Sequence, residues 1–351
     1  MEPLHSVVVG GGAGGRLSLS ALRASPYFSL QGVADLREEA RAALATEFEG
    51  LATFTNHTQL FEVLAPEIVC VSTYAPTHEE ITLAALALPT LKGILVEKPL
   101  GADTAAGRRI LEAIRARDVP VVVPHGLAAK ATPREIICRV QGGEIGRLVL
   151  VEIQCRGWDI LNAGIHWLHF CRMLTPDDIP KSVHTAMDVS TRTFRDGLQV
   201  ETAATTSIVH ESGLRVVLHT GDETPINVEG KPFVFRLLGE RGWIEFWGWE
   251  NGFLFNGERV VPQEFPVTGH RYHLERLAEQ CAGAPRDMTV ANTSLEALEL
   301  CEAAYLSGRH HTQIALPLSA SSPTLTDSPS DWVAGLPYSG TGGGRDGRQF
   351  G

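Results

Sequence analysis

Along the first third of the chain, short apolar runs rich in branched residues alternate with segments whose apolar positions recur every three or four residues. The runs Ser6–Val9, Leu30–Ala34, Ile68–Ser72, Ile94–Glu97 and Val119–Val123 predict strands. The segments between them, Arg16–Ala24, Arg37–Glu47, His78–Leu88 and Thr104–Arg117, predict helices. Regular strand–helix alternation predicts a parallel sheet covered by helices on both faces. Ligands bind such sheets outside the carboxyl ends of the strands, so the chemistry is to be sought there.

From about Pro124 the pattern changes. Pro133–Gly142 predicts a helix, Leu148–Arg156 a strand, and residues 162–169 a further helix. Lys181–Ser190, Val200–Val209, Leu214–Thr220, Phe233–Leu238, Trp243–Phe246 and Phe253–Phe255 then predict strands, several set apart by hairpin-like glycines. Arg271–Ala282 and Ala291–Ser307 predict two closing helices. Trp243, Trp247 and Trp249 are expected in core or interface packing. The Ser-, Pro- and Gly-rich stretch Ser319–Gly351 cannot build a core of its own. It is read as a tail or as an arm lying on a partner subunit, anchored by Trp332, Leu336 and Tyr338. The expected division is therefore 1–123, 124–318 and 319–351.

Composition adds exclusions. The 351 residues suffice for two domains with real cores. Thirty basic against 41 acidic side chains leave a net charge of −11, with no compensating basic block, which argues against nucleic-acid binding. No apolar run approaches the ~20 residues of a membrane span, and the start shows no signal peptide, so a soluble cytoplasmic protein is expected. The six cysteines are scattered without a C-x-x-C pair, which predicts reduced thiols and no metal site.

The first predicted strand runs into Gly10-Gly11-Gly12-Ala13-Gly14-Gly15, and so into Gly10-x-Gly12-x-x-Gly15. Such spacing permits a tight turn, brings a pyrophosphate against the backbone at a helix N-terminus, and lets strand and helix pack closely. A flexible glycine loop is the alternative; the strand before and helix after favour dinucleotide binding by Gly10, Gly12, Ala13, Gly14 and Gly15. Asp35 ends the next strand twenty residues past Gly15, where a carboxylate accepts from ribose hydroxyls and repels a 2′-phosphate. NAD is thus expected over NADP, a preference softened by Arg37. The third strand end continues as Thr73-Tyr74-Ala75-Pro76-Thr77-His78, a polar turn whose Thr73, Tyr74, Pro76 and His78 are expected to face the cofactor. The fourth is followed by Glu97-Lys98-Pro99, and a charged pair at a buried strand end is costly unless it is paired or used. In the second part, Asn162, His166 and His169 stand at i, i+4 and i+7, one face of a helix. Arg156, Trp158 and Asp159 precede that helix and are expected to line the substrate site, and Arg192 and Arg195 are expected in a loop that reaches substrate or a neighbouring subunit.

Together these motifs resemble the glucose–fructose oxidoreductase, inositol dehydrogenase and MocA (Gfo/Idh/MocA) family over about residues 5–318. The resemblance implies an N-terminal Rossmann domain plus a C-terminal α/β domain with an open, mainly antiparallel sheet. It implies oxidation or reduction of sugars, inositols or related polyols with NAD(P), and assembly as dimers or tetramers. It also implies that Lys98 contacts substrate and nicotinamide, that the peptide before Pro99 is cis, and that the closing helices pack back on the Rossmann domain. A base that takes a hydroxyl proton suits the lysine role on independent grounds; Glu97 is assigned to holding that lysine or lining the cofactor site. The family pattern Asp-x-x-x-His-x-x-Asp is met at His166 but departed from at Asn162 and His169, which leaves proton handling to Lys98 and His166. His125 and Lys130 fall where the family faces its substrate. With Lys98, Arg156, His166 and His169 they would make a cationic site suited to an anionic sugar. Three functions stay open: a sugar dehydrogenase, a glycosidase working through transient C3 oxidation with His125, His166 and His169 as acid–base groups, and a non-enzymatic NAD-binding regulator.

Overall fold

The computed structural model describes residues 2–190, 193–195, 198–319, 322 and 345–346. The chain divides into two units, Met1–Ala129 with Pro266–Leu295, and Lys130–Phe265 with Glu296–Gly351.

The first unit is a parallel six-stranded sheet. Its strands are β1 (Leu4–Val9), β2 (Phe28–Ala34), β3 (Ala52–Phe54), β4 (Ile68–Val71), β5 (Gly93–Val96) and β6 (Val121–Val122), in the order β3-β2-β1-β4-β5-β6. This is the doubly wound order whose direction reverses beside β1, and the reversal opens the crevice at the strand ends. Val7, Val8, Ile68, Val69, Ile94 and Leu95 are fully buried, as strands covered on both faces must be. The connecting helices are α1 (Ala13–Ala24), α2 (Glu38–Glu47), α3 (His57–Leu64), α4 (His78–Leu86) and α5 (Thr104–Arg117). Asp103 starts α5 by accepting from the Ala106 amide at 2.7 Å. β3 and α3 were not foreseen: the strand is three edge residues, Thr53 exposed between half-buried Ala52 and Phe54, and the one-face apolar stripe of α3 lasts only two turns. Its start did carry a signal, Asn56 accepting from the Gln59 amide.

The second unit opens with α6 (Ala131–Gln141), β7 (Leu148–Arg156), a π-helical turn at Ile160–Gly164 and α7 (Ile165–Leu174). It continues through β8 (Pro180–Asp188), β9 (Thr193–Arg195), β10 (Leu198–Val200), β11 (Ala203–His210), β12 (Arg215–Gly221), β13 (Phe233–Gly239), β14 (Trp243–Phe246), β15 (Phe253–Phe255) and β16 (Glu258–Val260). Two helices follow, α8 (Gly269–Cys281), which belongs to the first unit, and α9 (Thr289–His310), which runs through the boundary at Leu295/Glu296. Last come β17 (Ile314–Ala315) and β18 (Arg345–Asp346), the latter beside β9. Nine strands form one open sheet, β16-β15-β14-β13-β7-β12-β11-β8-β17, antiparallel except at β12/β7. Alternation along β11 buries Ala204, Thr206 and Ile208 on one face and exposes Thr205 and Val209 on the other. Arg192, Trp332, Leu336 and Tyr338 lie outside the described residues. No helix among the described residues is long and apolar enough to cross a membrane.

The return of residues 266–295 is the main departure from a simple two-part chain. Leu274, Leu277 and Ala278 of α8 are buried in one core with Leu4, Val8, Leu19, Leu22, Ile68 and Leu95. That is the packing the resemblance implies for α8. Leu277→Ala should therefore cost the first unit about 2–5 kcal/mol, a full core truncation. Urea unfolding followed by circular dichroism measures it, and a loss below about 1 kcal/mol would contradict the assignment of α8 to this core.

Candidate functional site

In the first unit, the turn after β1 owes its path to contacts that only glycines allow. Gly10 has φ +99°, and a Cβ there would lie 2.5 Å from the Ser72 carbonyl oxygen. A Cβ on Gly15 would lie 1.9 Å from the Gly10 oxygen. At Gly12 nothing stands within 4 Å, so the second glycine faces open space. Gly12 is also the N-cap of α1, with no side-chain cap and no acidic residue in the first turn. The helix start is thus left to an outside anion. A cleft of about 400 Å³ lies here, lined among others by Gly11, Gly12, Ala13, Arg16 and Arg37. These features fit a dinucleotide pyrophosphate.

Asp35 ends β2 with its carboxylate against the same turn. It accepts from the Gly11 amide at 2.8 Å, the Arg37 amide at 2.9 Å, and Arg37 Nε and Nη2 at 3.1 and 3.0 Å. Burial alone would push its pKa up, but the bonds from Arg37 and Gly11 and the guanidinium charge outweigh it and hold the carboxyl below its ordinary value. Arg41 braces the corner from outside, donating to the carbonyls of Asp35 and Leu36.

At the end of β4, Thr77 Oγ1 donates to Thr73 Oγ1 at 2.7 Å, and Tyr74 and Pro76 are exposed. His78 departs from expectation. It is fully buried, its Nε2 bonds the Thr73 carbonyl at 3.0 Å, and burial lowers its pKa. The imidazole braces the turn from inside. At the end of β5, Glu97 is buried and Lys98 half-buried, and the Lys98–Pro99 peptide is cis. Glu97 Oε2 accepts from the Lys98 amide at 3.1 Å, and His270 Nε2 stands 2.5 Å from Oε1. Sequence reading missed His270; it lies 173 positions away, and only the return of α8 brings it here.

In the second unit, the expected single helical face is not formed. Asp159 caps the π turn, accepting from the amides of Leu161 and Asn162 at 2.9 and 2.7 Å, and its carbonyl accepts from Gly164 at 2.9 Å. Asn162 turns its amide onto both Asp159 oxygens at 3.1 Å. In α7, His166 is the one residue of Ile165–Leu174 that is not buried, and its ring meets Trp249 edge-on at 5.5 Å. His169 is fully buried. Lys130 donates to the Trp249 carbonyl at 2.7 Å, and exposed Arg156 donates to the Thr224 carbonyl at 3.2 Å.

Three more of the expected substrate contacts are, like Asn162 and His169, buried in the protein. Arg195 lies in β9, not in a loop; it is 2% exposed and bonds Asp159 at 3.1 Å and the Gly157 carbonyl at 2.7 Å, with its guanidinium over Trp158. Asp159 itself is 0% exposed and its oxygens are taken by the cap and by Arg195. His125, in the first unit, is 0% exposed; its Nε2 bonds Ser294 Oγ at 2.8 Å and its carbonyl accepts from His273. Beneath the π turn, buried Glu201 accepts from Ile160 N, Thr220 Oγ1 and Tyr305 Oη at 2.8, 2.8 and 2.6 Å. Burial, then the nearby Asp159 charge, raise its pKa to about 7 against those donors.

These contacts generate three expectations. Gly12→Ala should unfold within about 0.5 kcal/mol of the wild type, since nothing stands near its Cβ, yet bind NAD+ at least tenfold more weakly by calorimetric titration. Arg195→Met strands the Asp159 charge and should cost about 3–5 kcal/mol in urea unfolding. Glu201 holds its proton more tightly folded than unfolded, so its contribution to stability falls as pH rises from 4.5 to about 7. Thermal melts of the wild type against Glu201→Gln should show that slope only in the former.

Residues 4–125 match the family model GFO_IDH_MocA, described as an oxidoreductase family with an NAD-binding Rossmann fold. No curated protein matches the sequence. Among solved structures, the WlbA dehydrogenase of Bordetella pertussis in complex with NADH and UDP-GlcNAcA is 18% identical, with TM-score 0.74, covering 90% of this chain and 100% of its own. An inositol dehydrogenase homologue of Azotobacter vinelandii with NADH and myo-inositol is also 18% identical, with TM-score 0.73 and coverage of 90% and 98%. An oxidoreductase of Agrobacterium radiobacter with NAD+, L-tartaric acid and magnesium is 16% identical, with TM-score 0.72 and coverage of 90% and 98%. The likeness to these structures is one of fold over both units. Residues 4–125, with their glycine turn, Asp35 and Glu97-Lys98-Pro99, thus match the NAD-binding Rossmann domain of the Gfo/Idh/MocA oxidoreductase family.

Proposed function

We propose that this chain is an NAD-dependent oxidoreductase acting on the carbinol carbon of a sugar or sugar-derived polyol. The observation that carries the reading is a grouping within the first unit. The glycine turn after β1, Asp35 after β2 and Lys98 after β5 all stand at carboxyl ends of strands in one parallel sheet. Gly10, Gly12, Ala13, Gly14 and Gly15 would hold the pyrophosphate of NAD and Asp35 its adenosine ribose, which favours NAD over NADP. When bound, NAD supplies the hydride acceptor. The Lys98 amine takes the hydroxyl proton as the carbinol becomes a carbonyl, and returns it in the reverse direction. In the second unit His166, the open residue of α7, is assigned to orienting the sugar, because Asn162 spends its amide on Asp159. The ligands of the structural neighbours, UDP-GlcNAcA and myo-inositol, support the substrate class. Arg156 and Lys130 favour an anionic substituent. The open face of the nine-stranded sheet, with exposed Val209 and Leu238, is assigned to assembly as a homodimer or homotetramer.

The elimination route to a glycosidase loses support, since two of its three histidines, His125 and His169, are buried. A panel of free sugars and aryl glycosides, neutral and anionic, with added NAD+ separates the readings by NADH absorbance and aglycone release. The dehydrogenase reading predicts NADH from at least one free sugar and a drop in kcat of about 100-fold or more in Lys98→Ala. Aglycone release that needs NAD+ but accumulates no NADH would replace it with the glycosidase.

A further inference from the structure

The pairing of Glu97 with His270 poses an electrostatic problem that the proposed roles leave unanswered. Glu97 is 6% exposed, and its carboxylate lies against the first turn of α1: a Cβ on Gly14 would come within 2.9 Å of Oε1. The turn that is left open for an anionic pyrophosphate is therefore backed by a buried anion. In a site of low dielectric, two like charges near one another are expensive unless a cation stands between or beside them. Lys98 and His270 face that carboxylate as groups that carry or gain positive charge. The Lys98 amide holds Oε2 at 3.1 Å, and the His270 imidazole stands 2.5 Å from Oε1. Cys70 on β4 and His78 on α4 also face Glu97, and the thiol and the imidazole are both fully buried. His270 itself opens α8 in the returning segment, and its side chain is 13% exposed.

We infer that His270 is a positioning residue of the cofactor site. As a cation it cancels the Glu97 charge behind the dinucleotide turn, and by fixing that carboxylate it anchors the backbone of Lys98. The inference rests on the NAD-binding reading of the same unit and assigns it a residue 173 positions from its partner.

A double-mutant cycle read as NAD+ affinity tests it, with the melting temperature of each free protein measured alongside. His270→Ala should bind NAD+ about tenfold more weakly than the wild type at pH 7. Glu97→Gln removes the buried charge, so His270→Ala combined with Glu97→Gln should bind within about threefold of Glu97→Gln alone. His270→Gln keeps a short N–H donor without the charge, and should weaken binding as His270→Ala does even where the melting temperature is retained. Wild-type affinity in both His270 variants would overturn the inference. So would a double variant bound well over threefold more weakly than Glu97→Gln alone, since a packing role for the ring is not rescued by removing the Glu97 charge. A wild type that binds no NAD+ would overturn the cofactor reading itself, and is told apart because every member of the cycle then fails alike.

Discussion

The close approach of strand and helix across Gly10 and Gly15 is the constraint on which the first unit depends. With Gly15 directly over the Gly10 carbonyl, a side chain at either place would force β1 and α1 apart. The helix would then no longer start beside the ends of β2, β4 and β5. Because it does start there, its uncapped first turn, the Asp35 carboxylate and the Glu97–Lys98 pair share one end of one sheet. The open space at Gly12 is the complement of the crowding at its two neighbours: the chain fills the turn on one side and leaves the other for a ligand.

Buried carboxylates organise both units, and each is resolved differently. Asp35 is held ionised by a neighbour two residues on, so the solution is local. Glu97 takes a histidine from a helix that arrives 173 residues later. Asp159 caps a π turn and meets Arg195 in the interior, whereas Glu201 receives only neutral donors and drifts toward its protonated form. Replacing any such partner leaves the other charge without water or counter-ion, which is why these residues matter to folding as much as to chemistry.

How far this was legible in the sequence follows the range of the interactions. The parallel strands stand out because strands covered on both faces are apolar throughout, as in Val7–Val9. The glycine spacing and Asp35 were equally plain, since their geometry is set within about 25 residues. The π turn was not: Asn162, His166 and His169 have α-helical spacing, and nothing in that spacing says that Asp159 will draw Asn162 aside. His125 and Arg195 read as polar residues near a site, but their burial is decided by Ser294, Gly157 and Asp159, distant or across a strand. His270 was silent for the same reason.

Hydrogen–deuterium exchange of the whole protein with and without NAD+ tests the central claim most directly. The account predicts protection concentrated in the peptides spanning Val9–Gly15 and Ala34–Arg37, where the open helix start and Asp35 meet the cofactor. Unchanged exchange in both peptides at saturating NAD+ would contradict it.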